Sequence, residues 1–199
     1  MRKILLSAVA TAALLASASA QAATLSSASL DGWTTYGAVS ATQDVIGTTR
    51  LGVLDIVAGV GANKYASVAQ TFTLTAGQSI SGWAKWIGHD YKPYNDTGAV
   101  GINFIEGPTS TYTSLFSADI SKFGDYGSSA WTAFTFTAAE SGIYAFVAGV
   151  KNVGDNALSS ELRVALSPVP LPTALPLFGS ALLGLGALGR RRMRKDAAA

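Results

Sequence analysis

The chain has 199 residues and a mass of 20.4 kDa, with 49% apolar and 13% charged residues and no cysteine. That is one domain with short appendages, and it excludes a multidomain machine, a disulfide framework, a thiolate nucleophile and a cysteine-type zinc site. The net charge of +2 hides a division, because the stretch from Ala23 to Pro168 holds seven cations against eleven anions, a net of −4, so nucleic acid is not an expected partner.

In chain order, Arg2 and Lys3 precede an apolar stretch from Ile4 to Ala16 and small residues at Ala18, Ala20 and Ala22. This is the pattern of a secretory signal peptide over residues 1–22. Ala20-Gln21-Ala22 sets small residues where signal peptidase needs them, so cleavage is expected after Ala22, with Ala18-Ser19-Ala20 as the second choice.

Residues 23–167 read as an all-β ectodomain, a β-sandwich or jelly roll of seven or eight strands. Val68 to Thr75 alternates with Phe72 and Leu74 inward, and Thr132 to Thr137 puts Phe134 and Phe136 on one face. Ile143 to Ala148 is apolar on both faces, which suits a strand in the middle of a sandwich. Further strands are expected over Leu51 to Val57, Ile80 to Trp86, Val100 to Ile105 and Leu162 to Leu166, with turns at Gly77, Asn95-Asp96, Gly107-Pro108, Gly124-Asp125, Ser141-Gly142 and Gly154-Asp155.

The densest aromatic segment runs from Trp83 to Tyr94, with Asn95 and Asp96 directly after it. Flat aromatic faces stack on sugars while amides and carboxylates bond hydroxyls, so Trp83, Trp86, Tyr91, Tyr94 and Asn95 form the candidate glycan site. The competing reading is that Trp83 and Trp86 pack the two faces of a sheet and the tyrosines staple a loop. Asp31, Asp90, Asn95, Asp96, Asp155 and Asn156 lie near turns, where such residues form the turn itself or, in the alternative, hold calcium. No other metal and no cofactor is expected. His89 is the one histidine and lacks a sequence partner, and no phosphate loop, zinc-protease motif or nucleophile elbow is present, so the chain reads as a non-enzyme.

The last segment, 168–195, has three parts. Val169-Pro170-Leu171-Pro172 leads into 17 uncharged residues, Thr173 to Gly189, followed by Arg190, Arg191, Arg192, Arg194 and Lys195. The uncharged stretch gives about 25 Å of helix, the lower limit for a single transmembrane helix, and the basic cluster places the C-terminus in the cytoplasm. Pro170 and Pro172 keep the chain extended just outside the membrane, in a form a protease cleft can grip.

These three elements in order resemble the PEP-CTERM protein-sorting signal of exported proteins in Gram-negative bacteria, with Leu171 standing where that signal has Glu. The resemblance implies an exosortase-type membrane enzyme as processing partner. It also implies an inner-membrane-anchored precursor that passes to the cell surface or extracellular matrix in polysaccharide-producing bacteria. Gly32-Trp33, the Gln-Thr-Phe-Thr-Leu run from Gln70, Trp131 before Thr-Phe-Thr, and Ser141-Gly-Ile-Tyr resemble the galactose-binding-like jelly roll common among carbohydrate-binding modules. The expectation is a non-catalytic binding or structural module for exopolysaccharide. A small secreted glycan-active enzyme and a self-assembling surface subunit are the alternatives.

Overall fold

The computed structural model describes residues 26–59, 61–106, 111–155 and 157–167. The signal peptide, the Val-Pro-Leu-Pro motif, the apolar span and the basic cluster lie outside the described residues. Among the described residues no helix is long and apolar enough to cross a membrane.

Among the described residues, ten strands and one helical turn make up the fold. They are β1 (Thr34–Tyr36), β2 (Ala38–Ile46), β3 (Thr49–Val57), β4 (Tyr65–Leu74), β5 (Ser79–Ile87), β6 (Thr97–Phe104), β7 (Thr111–Asp119), α1 (Ile120–Phe123), β8 (Thr132–Thr137), β9 (Gly142–Lys151) and β10 (Glu161–Leu166). One antiparallel sheet, sheet A, runs β1-β4-β9-β6-β7, and the other, sheet B, runs β2-β3-β10-β5-β8. Taken alone, β3 to β10 give 4-9-6-7 facing 3-10-5-8, the strand order of a jelly roll, and β1 and β2 each add one edge strand.

Alternation builds the core. Val68, Phe72 and Leu74 of β4, Ile80 and Trp86 of β5, Val100 and Ile102 of β6, Phe134 of β8, Tyr144 and Phe146 of β9, and Leu162 and Val164 of β10 all point between the sheets. Trp33 closes one end of the core edge-on to Phe146 at 5.8 Å, with its indole N–H donating to the Ser26 carbonyl at 2.9 Å. The ten described strands form two packed layers around one contiguous core, the complete architecture of a domain, so residues 23–167 are expected to fold by themselves.

Seven of the expected strands are present within a few residues of their expected ends. β1, β2, β7 and the α1 turn were not expected. The first three are sheet edges: β1 and β2 bury little on either face and β7 buries only Phe116 and Ala118 near its end, so their residues carry a weak alternation signal. β9 lies third of five in its sheet, as a doubly apolar strand should, yet its outer face is uncovered: Ile143 is exposed and Ala145, Val147 and Gly149 are half-buried.

Trp86 corrects the candidate site. Its side chain is fully buried, packed against Gly98, where an added Cβ would lie 3.0 Å from the indole ring. Trp83 and Trp86 are three positions apart, so the pleat turns them to opposite faces, and Trp83 stands on the outer face of sheet B.

Candidate functional site

The strand ends fix where the site forms. β4 and β6 begin, and β7 and β9 finish, at one end of the sandwich, and there the loops 88–96, 120–131 and 152–160 meet. Loop 88–96 is tied to loop 124–129 by three backbone amides. Gly88 donates to the Gly127 carbonyl at 2.9 Å, Tyr126 to the Asp90 carbonyl at 2.7 Å, and Lys92 to Asp125 Oδ1 at 3.0 Å.

This framework brings Tyr91 and Tyr94 together, ring centroids 5.6 Å apart and nearly perpendicular. It adds a third ring that the sequence reading missed, Tyr126, 5.8 Å from Tyr91. Tyr91 is 39% and Tyr126 59% exposed, so the cluster is a surface rather than a core. Tyr126 holds a left-handed backbone, φ 57°, which a bulky residue adopts only at a cost of about 1–2 kcal/mol. The hydrogen bond from its N–H to the Asp90 carbonyl holds that pose and sets the ring beside Tyr91. The signal for Tyr126 was the Gly124-Asp125-Tyr126-Gly127 turn, which carries an aromatic residue where turns favour small ones.

The polar residues nearby serve mainly to shape the loops. Asn95 Oδ1 accepts from both the amide and the hydroxyl of Ser121, at 2.8 and 3.0 Å. Buried Asp96 accepts from Val153 at 2.8 Å and Ser160 at 3.2 Å, pinning loop 152–160 in place. Gly154 of that loop packs beside Tyr94, and His89 Nδ1 lies 3.0 Å from the Ser159 carbonyl. Asp90 is closed off from solvent with Oδ2 unpaired. Burial pushes its carboxyl above the usual range, the Tyr91 amide opposes this, and the charges of Asp155 and Asp96 add to the rise. The Tyr91 hydroxyl is likewise pushed up, foremost by the Tyr94 phenol and then by burial and Tyr126. Among the described residues no three carboxylate or imidazole groups converge on a point that would hold a metal ion, and Asn156 lies outside the described residues.

A shallow groove of about 420 Å³ crosses the outer face of sheet A beside the same end. Register makes its floor flat: Ser67, Gly149, Ala99 and Ser117 follow one another across four strands. Tyr65, stacked on Tyr36 at 4.5 Å, bounds one side, and Lys151 and Asp119 supply charges. On the same face Tyr112 lies over Gly101, where any side chain would collide with its ring.

The outer face of sheet B carries a separate charged cluster. Arg163 on β10 lies 3.7 Å from Asp44, 3.6 Å from Asp55 and in contact with Glu161. Asp55 is pushed up to about 6, first by burial and then by its hydrogen bond to Glu161 and that residue's charge, while Arg163 pulls the other way. A folded-state value above the unfolded one means that the folded protein binds the proton more tightly, so this group adds stability as pH falls from about 7 toward 5. The Asp55→Asn variant, free of that titration, is expected to unfold at higher urea than the wild type at pH 7.5 and to show a flatter pH dependence between 5 and 7.5. An unfolding midpoint that falls for both proteins over that acid range would contradict the assignment.

No family model and no curated protein matches the chain. Several solved structures do, at low identity. The module TmCBM61, in complex with β-1,4-galactotriose, is 12% identical and covers 71% of this chain and 92% of its own, with a TM-score of 0.44. A family 16 carbohydrate-binding module is 18% identical over 69% of this chain and 92% of its own, TM-score 0.41. The CBM22-1 xylan-binding domain of Paenibacillus barcinonensis Xyn10C is 9% identical over 74% and 93%, TM-score 0.42.

Proposed function

We propose that this is an exported surface or matrix protein, sorted by its PEP-CTERM-like tail, whose jelly roll binds extracellular polysaccharide without cleaving it. The observation that carries the binding role is the Tyr91–Tyr94–Tyr126 cluster. It comprises three rings from two loops, two of them well exposed and one held in a strained backbone, on a framework of backbone hydrogen bonds. Exposed rings fixed in place cost little entropy on binding, and a sugar ring covers them face to face. The groove on sheet A offers an extended chain a flat floor beside the same end.

A non-catalytic role is supported by the environment of the Asp55 and Glu161 carboxyls. Both are engaged by the one Arg163 guanidinium, whereas glycoside hydrolysis places its two carboxyls about 5–9.5 Å apart around the sugar. Signal peptidase and an exosortase-type enzyme remain the expected processing partners, and intact protein from the producing organism is expected to end near Pro172. A mass that still includes Arg190 to Ala199 would remove that part of the reading.

The binding role is tested by electrophoresis of residues 23–167 through gels containing the producing organism's own polysaccharide. Retarded migration with no shortening of the polysaccharide is expected. Unretarded migration would remove the binding role, and shortened chains would make the protein an enzyme.

A further inference from the structure

The four edge strands of this sandwich carry almost none of the guards that keep sheet edges apart. Across β1, β2, β7 and β8 there is no Lys, Arg or Pro, and the charges are Asp44 and Asp119. Exposed edges normally carry Lys, Pro or a bulge because their free N–H and C=O groups are ready to pair with another strand. β7 has two such devices: a register break opposite Val100 and Gly101, and Lys122, whose ammonium caps the Ser117 carbonyl at 2.8 Å. β2 has neither. Its nine residues pair with β3 without a break, and Asp44 lies toward Arg163 in its own sheet.

The direction of the β2 backbone groups follows from one bond. The Val45 amide is taken by Asp44 Oδ1 at 2.7 Å, so it is turned away from β3. Antiparallel ladders alternate, so the N–H and C=O of Val39, Ala41, Gln43 and Val45 face the open edge. We infer that β2 pairs with β2 of a second copy of this chain about a two-fold axis through Thr42, joining the two B sheets into one of ten strands.

This occupant is favoured because the strand is complementary to itself in that register. Thr42 meets Thr42, Ala41 meets Gln43, Ser40 meets Asp44 and Val39 meets Val45, all within nine residues. The outward residues fall in the hydrogen-bonding positions, and because the Val45 amides stay with Asp44 the four pairs give about six bonds. The Asp44 side chains face Ser40 rather than each other, so no like charges collide, and the two β-branched valines form favourable cross-strand pairs. A contact of one patch with itself closes as a dimer.

The absence of native cysteine makes the test specific. Thr42 is exposed, and the two copies of it would form a non-hydrogen-bonded pair with Cα atoms about 4.5 Å apart, within disulfide reach. In residues 23–167, Thr42→Cys is expected to give a covalent dimer on mild oxidation, and Ser117→Cys on β7 is not. Sedimentation of the unsubstituted segment is expected to shift from monomer to dimer as concentration rises. Gln43→Pro, which removes an edge amide that β3 does not use, is expected to abolish that dimer while leaving the urea midpoint close to that of wild type. Thr42→Lys, which sets like charges against each other on the axis, serves as the second disrupting variant. A monomer at every concentration, cross-linking through position 117 instead of 42, or a dimer that survives both variants would each overturn the inference.

Discussion

Replacing Tyr91 and Tyr94 together by alanine is expected to weaken polysaccharide binding by tenfold or more while leaving the fold intact. Each ring contributes about 0.5–1.5 kcal/mol of stacking beyond simple area, so losing two amounts to ~2 kcal/mol, and 1.4 kcal/mol is a factor of ten. Tyr94 is the inner ring, edge-on to Tyr91 and close to Gly154, and its removal also frees Tyr91 to move. The loop itself is held by backbone amides at Gly88, Tyr126 and Lys92, none of which uses a tyrosine side chain. The urea midpoint should therefore stay near wild type, and isothermal titration reads the affinity. Tyr126→Ala alone should weaken binding by severalfold. Its backbone strain is relieved only by glycine, so Tyr126→Gly should bind equally weakly and be the more stable of the two.

Trp86→Ala should cost about 3–5 kcal/mol, the largest single loss in the domain. Total stabilities of 5–15 kcal/mol are usual, so this variant is expected to be largely unfolded or to unfold at the lowest denaturant concentrations. The indole fills the space above Gly98 in the opposite sheet and stands opposite Leu162 in its own, and Gly98 has no side chain to refill the cavity that truncation leaves. Its strand position is further fixed by Ser129, whose hydroxyl accepts from the Trp86 amide at 2.9 Å and whose amide donates to the Trp86 carbonyl at 2.9 Å. The indole N–H has no acceptor, and an unpaired buried donor is itself a cost. Trp86→Phe is therefore expected to lose much less than Trp86→Ala, because it keeps a ring above Gly98 and removes the unpaired donor. Urea unfolding that ranks phenylalanine with alanine would contradict this packing account.

The parts of the fold legible in the sequence are those where burial writes a period into the chain. Phe72 with Leu74, and Phe134 with Phe136, alternate with threonines because one face is core and the other is wet. β2 and β7 were hidden for the opposite reason: β2 buries neither face and β7 only Phe116 and Ala118 near its end, so Ala38 to Ile46 and Thr111 to Asp119 read as polar connections, whereas the edge strand β8 shows itself through Phe134 and Phe136. The aromatic cluster was half legible. Tyr91 and Tyr94 are three apart in one loop, but Tyr126 joins them only because the jelly roll brings the β7–β8 loop beside the β5–β6 loop. Trp83 and Trp86 show the limit of composition, since a count of aromatics cannot say which of two residues three apart on a strand faces solvent. Period two says that they part, and only the opposite sheet, with Gly98 cleared for an indole, decides that Trp86 is the one inside.

The most direct test of a tyrosine-built glycan site is to follow individual tyrosine ring resonances of residues 23–167 by NMR while oligosaccharides from the organism's polysaccharide are added. Saturable shifts at Tyr91, Tyr94 and Tyr126, with buried Tyr144 unmoved, are the predicted result. Shifts confined to Tyr36, Tyr65 and Tyr112 would move the site to the face of sheet A, and no shift at any tyrosine would contradict the account outright.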